Sequence, residues 1–196
     1  MSNPTLQVII ASTRPGRVGP SVAAWIYDRA VAHGGFDVEL VDLAEVNLPL
    51  FDEPKHPRFG EYVHQHTKDW SAIVSRGDAF IFVVPEYNHG FNAAIKNALD
   101  YLNAEWRGKA VGFVSYGGVA AGTRAMQMLK PVLAALKMVP LSDAVNIPFV
   151  QQFLDAERIL QPNEIMESAA TVVLDELVAW SAALRSIREP AAAPAS

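Results

Sequence analysis

Residues 6–11 (Leu-Gln-Val-Ile-Ile-Ala) are followed by residues 12–16 (Ser-Thr-Arg-Pro-Gly). This change from apolar to polar and flexible residues decides the fold, because a nearly continuous apolar run predicts a strand buried on both faces that ends in a loop. The same pattern recurs at residues 79–84 (AFIFVV) and 110–115 (AVGFVS). Strands of this kind need helices over both faces of their sheet.

Segments with helical spacing separate these strands. Their apolar residues recur every three to four positions, and they lie at 22–30, 63–74, 95–102, 123–137 and 164–186. Residues 36–43 (FDVELVDL) alternate between apolar and polar, which favours a strand near the sheet edge, and a fifth strand is predicted near 141–146. Pro131 must either kink the helix that contains it or open a second one.

Alternating strands and helices predict an α/β domain with a parallel sheet and right-handed crossovers. Five such units in 196 residues favour a flavodoxin-like three-layer α/β/α sandwich with a five-stranded parallel sheet in the order 2-1-3-4-5. Ligands of this topology bind beyond the carboxyl ends of the strands, at the switch point between strands one and three. We expect a single domain over residues 1–188 and a disordered tail at 189–196.

Composition excludes several classes of function. The chain has 16 Lys+Arg and 21 Asp+Glu, a net charge of −5, which argues against partners such as nucleic acid or anionic lipid. It has no cysteine, which excludes disulfides, thiolate metal sites and thiol nucleophiles. No apolar run is long enough for a membrane span and the first residues do not read as a signal peptide, so we expect a cytoplasmic protein without membrane insertion.

The loop after the first strand has the components of a phosphate site. Hydroxyls, two arginines and glycines precede a helix, where backbone N–H groups and the helix dipole favour an anion; these residues include Ser12, Thr13, Arg14, Arg17 and Ser21. Neither Gly-x-x-x-x-Gly-Lys-Ser/Thr nor Gly-x-Gly-x-x-Gly occurs, which argues against a P-loop NTPase and an ordinary dinucleotide fold. The alternative is that the serines only cap turns and the arginines only face water.

The loops after strands three and four have a different composition. Residues 85–92 (PEYNHGFN) combine proline, glycine and two aromatic residues, which suits a rigid platform at the edge of a flat heterocycle. Gly117 and Gly118 allow the backbone to pass close to a ligand. Taken singly, each loop has a purely structural interpretation, with Asn92 as a helix cap and the two glycines as a turn. For His89 we favour a role in loop packing over a contact with substrate. For the pair His64 and His66 we favour a solvated surface over a metal site.

Together these loops resemble the NADPH-dependent FMN reductase family, flavodoxin-like flavoproteins that include quinone, azo-dye and chromate reductases. The motifs are Ser-Thr-Arg at 12–14, Pro-Glu-Tyr-Asn at 85–88 with Lys-Asn-Ala-Leu-Asp at 96–100, and Ser-Tyr-Gly-Gly at 115–118. They occur in the family's order and spacing and lie within residues 6–137. Ala11, Asn92 and Ala121 stand where Gly, Pro and Gly are common in that family.

The resemblance implies an FMN-binding domain whose flavin takes hydride from NADPH or NADH. The electrons would go to a quinone, an azo compound, a metal oxyanion or free flavin. Since the flavin does the redox chemistry, we expect no catalytic side chain. By position, Ser12, Thr13, Arg14, Arg17 and Ser21 belong to the phosphate loop. The isoalloxazine would be lined by Pro85, Glu86, Tyr87 and Asn88, and its other edge closed by Ser115, Tyr116, Gly117 and Gly118.

The family resemblance also implies a homodimer or homotetramer, consistent with the wide apolar surface of the last predicted helix. The alternative function is a non-enzymatic electron carrier or a redox-sensing module. Carriers of the flavodoxin type have phosphate loops without arginines. Arg14 and Arg17 therefore favour the reductase.

Overall fold

The chain is built around one parallel sheet. The computed structural model describes residues 3–188 of the chain. The strands are β1 (Thr5–Ile10), β2 (Asp37–Asp42), β3 (Ala79–Pro85), β4 (Ala110–Tyr116), β5 (Val139–Pro140) and β6 (Val145–Ile147). Their order is β2-β1-β3-β4-β5, with β6 also parallel to β4. This confirms the predicted flavodoxin-like order. The predicted tail at 189–196 lies outside the described residues.

The fifth position of the sheet differs from the prediction of one strand near 141–146. Two short strands occupy it: β5 pairs with the start of β4, and β6 pairs with its end. Between them Ser142 and Asp143 are exposed, so the chain leaves the sheet there and returns. The Val139 and Leu141 N–H groups donate to the Lys109 and Val111 carbonyls at 3.0 and 2.9 Å, so the position of Pro140, whose N–H would face away from β4, suits an edge strand.

The helices are α1 (Gly19–His33), α2 (Leu43–Val46), α3 (Gln65–Arg76), α4 (Ala93–Asp100), α5 (Thr123–Ala135) and α6 (Glu164–Arg188). Pro131 lies inside α5 and does not open a second helix. The sequence did not predict α2, which is capped by Asp42, whose carboxylate accepts a 2.9 Å hydrogen bond from the Ala44 N–H. None of the described helices is long and apolar enough to cross a bilayer.

Each face of the sheet has its own hydrophobic core. Val8 and Ile10 of β1 point toward α1 and α6, while Ile9 points toward α3, α4 and α5. Every residue of β3 and β4 is buried, as expected for strands covered on both sides. The predicted three layers are therefore present, and the loops at the carboxyl ends of β1, β3 and β4 meet at one edge.

Lys109 is a buried cation just before β4. Its side chain is 7% exposed, its Nζ donates a 2.9 Å hydrogen bond to the Val74 carbonyl near the end of α3, and it lies 5.5 Å from the Phe80 ring centroid. Burial lowers the pKa of Lys109 to about 8, because an ammonium loses its hydration there.

We expect this lysine to make stability depend on alkaline pH. Between about pH 8 and 10.4 the unfolded chain keeps a proton that folded Lys109 has lost, so the free energy of unfolding rises with pH, by up to about 3 kcal/mol at 1.36 kcal/mol per pKa unit. Urea titrations from pH 7 to 9.5 measure this slope. Lys109→Met should flatten it, and Lys68→Met, which removes an exposed lysine of α3, should not. Equal slopes in both variants would contradict the assignment.

Candidate functional site

A pocket of about 490 Å³ opens at the carboxyl ends of β1, β3 and β4, within the size range of small-molecule sites. It brings together most of the residues that the sequence selected. Those that line it are Ser12, Arg14, Arg17, Pro85, Glu86, Tyr87, Tyr116, Gly117 and Gly118. The switch point that the topology predicts is therefore concave and lined by three separate loops.

Four of the selected residues lie outside this lining. Thr13 lines a second pocket of about 420 Å³ beside α2 and α4. The Ser21 Oγ accepts a 2.7 Å hydrogen bond from the Leu160 N–H. Ser115 is fully buried, with its Oγ 2.8 Å from the Ala121 carbonyl oxygen, and Asn88 is exposed in a turn.

Loop 1, residues 11–18, carries the positive charge of the pocket. Helix α1 begins beyond it without a side-chain cap and without an acidic residue in its first turn. Arg14 is exposed, and the guanidinium of Arg17 forms an ion pair with Asp42 at the end of β2. The Arg17 Nε is buried without a hydrogen-bond partner. An uncapped helix start and two guanidinium groups together suit an anionic ligand.

One pair of hydroxyl groups connects loop 1 to the loop after β3, and a third hydroxyl nearby has no partner. The Ser12 Oγ and the Tyr87 hydroxyl are 2.8 Å apart. The Tyr116 hydroxyl is buried without a partner, and a Cβ added at Gly19 would lie 3.0 Å from it. Burial raises the pKa of Tyr116, so its phenol stays protonated and can donate. The Tyr116 hydroxyl thus lies near the start of α1, and Tyr116 also lines the pocket.

Loop 3, residues 86–92, is a tight turn. Tyr87 and Gly90 exchange backbone hydrogen bonds of 2.9 and 3.0 Å, and Asn88 and His89 between them have φ of 51° and 68°. Two positive φ angles define a type I′ turn. The Asn92 Nδ2 donates a 2.6 Å hydrogen bond to the Ala11 carbonyl, which fixes loop 3 against loop 1.

Glu86 organises the start of α5. Its Oε1 accepts a 2.7 Å hydrogen bond from the Arg124 guanidinium, and its Oε2 accepts one of 3.2 Å from the Arg124 backbone N–H. A carboxylate at this place satisfies an orphan N–H of the helix and favours its dipole. Glu86 therefore links loop 3 to loop 4, residues 117–122.

Sequence reasoning missed one side of the pocket, which is formed by residues 149–152. The Phe149 N–H donates to the Gly118 carbonyl at 3.1 Å, and the Val150 N–H to the Gly117 carbonyl at 3.3 Å. These residues follow β6, so the rule that loops gather at the carboxyl edge could have found them. Their composition carries no ligand signal.

The two histidines at 64 and 66 lie side by side. His64 precedes α3, and its ring stacks on that of His66 with centroids 5.2 Å apart. The His66 Nε2 lies 2.9 Å from the Asp52 Oδ1. Within residues 3–188 no group of three or more acidic or histidine side chains is placed to hold a metal.

An α/β/α sandwich of this strand order, with its pocket at the switch point, defines a flavodoxin-like protein. A family model described as NADPH-dependent FMN reductase matches residues 4–152, and the chain belongs to that family. It is an oxidoreductase of the FMN- and NAD(P)H-dependent type, as the sequence predicted. Nothing in the comparisons supports the electron-carrier alternative.

Curated relatives agree with this assignment. The chain is 42% identical over 149 residues to an NAD(P)H-dependent FMN reductase of Schizosaccharomyces pombe, covering 74% of each chain. It is 36% identical over 154 residues to one of Saccharomyces cerevisiae, covering 72% of this chain and 80% of the relative. The flavoenzyme FerB of Paracoccus denitrificans shares the fold, with a TM-score of 0.71 at 20% identity over 92% of this chain and 98% of that one.

Two glycines of loop 4 should respond differently to an added methyl group. A Cβ at Gly122, where φ is +81°, would lie 2.6 Å from the Tyr116 backbone nitrogen, whereas one at Gly118 would meet nothing within 4 Å. We expect Gly122→Ala to lower the free energy of unfolding by at least about 2 kcal/mol. Gly118→Ala should change it by less than about 1 kcal/mol. Chemical denaturation of the two variants tests this, and equal losses would contradict it.

Proposed function

We propose that the 490 Å³ pocket binds FMN, with the phosphate at loop 1 and the isoalloxazine between loops 3 and 4. The observation that carries the proposal is the uncapped start of α1 beside Arg14 and Arg17. Two buried groups without partners, the Arg17 Nε and the Tyr116 hydroxyl, support it, because buried donors are normally satisfied. The residues present therefore fit a flavin phosphate.

Loop 1 would hold the phosphate mainly through charge. A phosphate at a helix N-terminus gains from the dipole, whereas in this first turn Pro20 has no N–H and the Ser21 N–H donates to the Val18 carbonyl. Arg17 is already held by Asp42, so its guanidinium keeps one orientation and loses little freedom on binding. The Ser12 hydroxyl, fixed by Tyr87, adds a short polar group at the same loop.

Loops 3 and 4 would orient the ring system. When bound, FMN accepts a hydride and passes electrons onward. The protein's part is to bind, to orient and to stabilise the negative charge of the reduced ring with fixed dipoles. Tyr87 and Phe149 supply aromatic surface at the pocket, and the type I′ turn keeps Tyr87 in place. Preorganised loops reduce the entropy lost on binding.

The mouth of the pocket favours a flat, apolar electron acceptor. Tyr87 and Phe149 line the pocket and are 37% and 49% exposed. Two more apolar side chains are exposed nearby: Val119, which follows Gly118, is 74% exposed, and Met128, beside Gly90, is 51% exposed. Apolar surface of this kind suits a quinone or an azo compound. Relatives support both: the chain is 28% identical to an NADPH azoreductase of a Bacillus species over 191 residues and to an NAD(P)H:quinone oxidoreductase of Solanum tuberosum over 150.

We also propose a homodimer or homotetramer that works in the cytoplasm, where NAD(P)H is supplied. Exposed apolar side chains support self-association: Leu50 is 83% exposed, Phe59 is 56% exposed, and Ile165 on α6 is 78% exposed. Sedimentation of the wild type against Leu50→Asp and Ile165→Asp tests the assembly, and a monomer at all concentrations would refute it.

Removing one loop 1 arginine tests the phosphate assignment. We expect Arg17→Ala to weaken FMN binding by about 1.5–3 kcal/mol, the size of a charge-assisted hydrogen bond. Riboflavin, which has the same ring and no phosphate, should bind both forms equally. Isothermal titration of both ligands gives the comparison, and an unchanged FMN affinity would reject the role.

Anaerobic mixing tests the enzyme activity directly. With FMN bound, NADPH or NADH should bleach the flavin absorbance within seconds, and a quinone or an azo dye should restore it. A protein that takes up no FMN, or whose flavin neither nucleotide reduces, would refute the proposal. The Arg107→Ala variant changes an exposed arginine just before β4, at the opposite sheet edge, and should bleach as the wild type does.

A further inference from the structure

A short hairpin packs against loop 1 from outside the residues that the family model matches. It comprises residues 154–160, beyond the matched range 4–152, and Leu154 and Leu160 form its antiparallel bridge. The Asp155 N–H donates to the Ile159 carbonyl at 3.0 Å, and the Asp155 Oδ1 accepts a 2.7 Å hydrogen bond from the Ile159 N–H. The hairpin therefore has its own hydrogen bonds.

Two contacts fasten this hairpin to the phosphate loop. The Arg158 guanidinium donates a 3.0 Å hydrogen bond to the Gly16 carbonyl, and the Leu160 N–H donates one of 2.7 Å to the Ser21 Oγ. Gly16 has a φ of +69° in a Pro15-Gly16 turn that the Arg17 N–H closes by donating to the Arg14 carbonyl at 3.1 Å, and Arg158 adds a second hydrogen bond to this turn from outside the loop. The hairpin thus supports both the loop and the first turn of α1.

Arg158 occupies a backbone conformation that arginine disfavours. Its φ is +65°, in the left-handed region where a non-glycine residue costs about 1–2 kcal/mol. Glycine or asparagine would suit the turn better. Arg158 is exposed, and no carboxylate in the described part of the chain forms an ion pair with it. An unfavourable conformation at such a position indicates a functional reason for the residue.

The surrounding charges indicate what that reason is. Arg14 has no ion pair within residues 3–188, Arg17 is paired with Asp42, and the first turn of α1 has no acidic residue. Arg158 brings a third guanidinium to the same loop from a segment 142 residues away. Three arginines with a single paired carboxylate, Asp42, leave an excess of positive charge that favours binding of an anion.

We infer that Arg158 is a positioning residue of the phosphate site: it holds the Gly16 turn in the conformation that receives the FMN phosphate, and it adds positive charge beside it. This inference rests on the proposed FMN site. It predicts that the hairpin governs the affinity for the phosphate and leaves the affinity for the ring unchanged.

The decisive variant is Arg158→Gly, because glycine suits the left-handed φ and should not destabilise the turn. In the full chain we expect the Kd for FMN to rise about tenfold, the size of one lost charge-assisted contact. The Kd for riboflavin should stay within twofold, and the melting temperature of the flavin-free protein should not fall. Arg158→Lys, which keeps the charge, should recover part of the FMN affinity, and Arg107→Ala is the control for a lost surface charge.

Flavin fluorescence titrations measure these constants. An FMN affinity within twofold of the wild type, or equal weakening of FMN and riboflavin in both Arg158 variants, would overturn the inference. A wild-type protein that binds neither flavin would instead refute the proposed function, so the two failures are distinguishable.

Discussion

The hydrogen-bond ladder of β1, β3 and β4 is the constraint on which the site depends, because it continues beyond the strands into the loops. The Ala11 N–H donates to the Val83 carbonyl, the Glu86 N–H to Tyr116 and the Gly117 N–H to Ile147, at 3.1 to 3.2 Å. The point at which each loop leaves the sheet is therefore fixed by hydrogen bonds to the neighbouring strand. Since both faces of these strands are buried, a shift of register by one residue would move each side chain into the opposite core, where it does not fit the packing.

Side chains then join the loops to one another. Asn92 bonds to the Ala11 carbonyl, Ser12 to Tyr87, and Glu86 to Arg124. Each contact links residues at least 38 positions apart, so these loops are held by the tertiary structure and not by their own sequence. A site of this kind is organised before its ligand arrives, which reduces the entropy lost on binding.

The positive charge of the site is confined to one small region of the protein. A net charge of −5 excludes a surface for polyanions, yet Arg14, Arg17 and Arg158 gather at one loop. A single phosphate group suits such a small cationic region better than a polymer does. Asp42 keeps the nearest arginine in place, so the anion site also contains an acidic residue with an orienting role.

The sequence by itself determined the strand order, the three loops and the family, because buried parallel strands are continuous apolar runs and their loops must gather at one edge. It could not give the break between β5 and β6, the pairing of Ser21 with Leu160, or the direction of the Tyr116 hydroxyl. Nor did it indicate that residues 149–152 close the pocket or that Arg158 reaches Gly16. Those features are contacts between distant segments, and which side chain meets which is decided only when the layers pack, since local patterns fix a residue's face but not its partner.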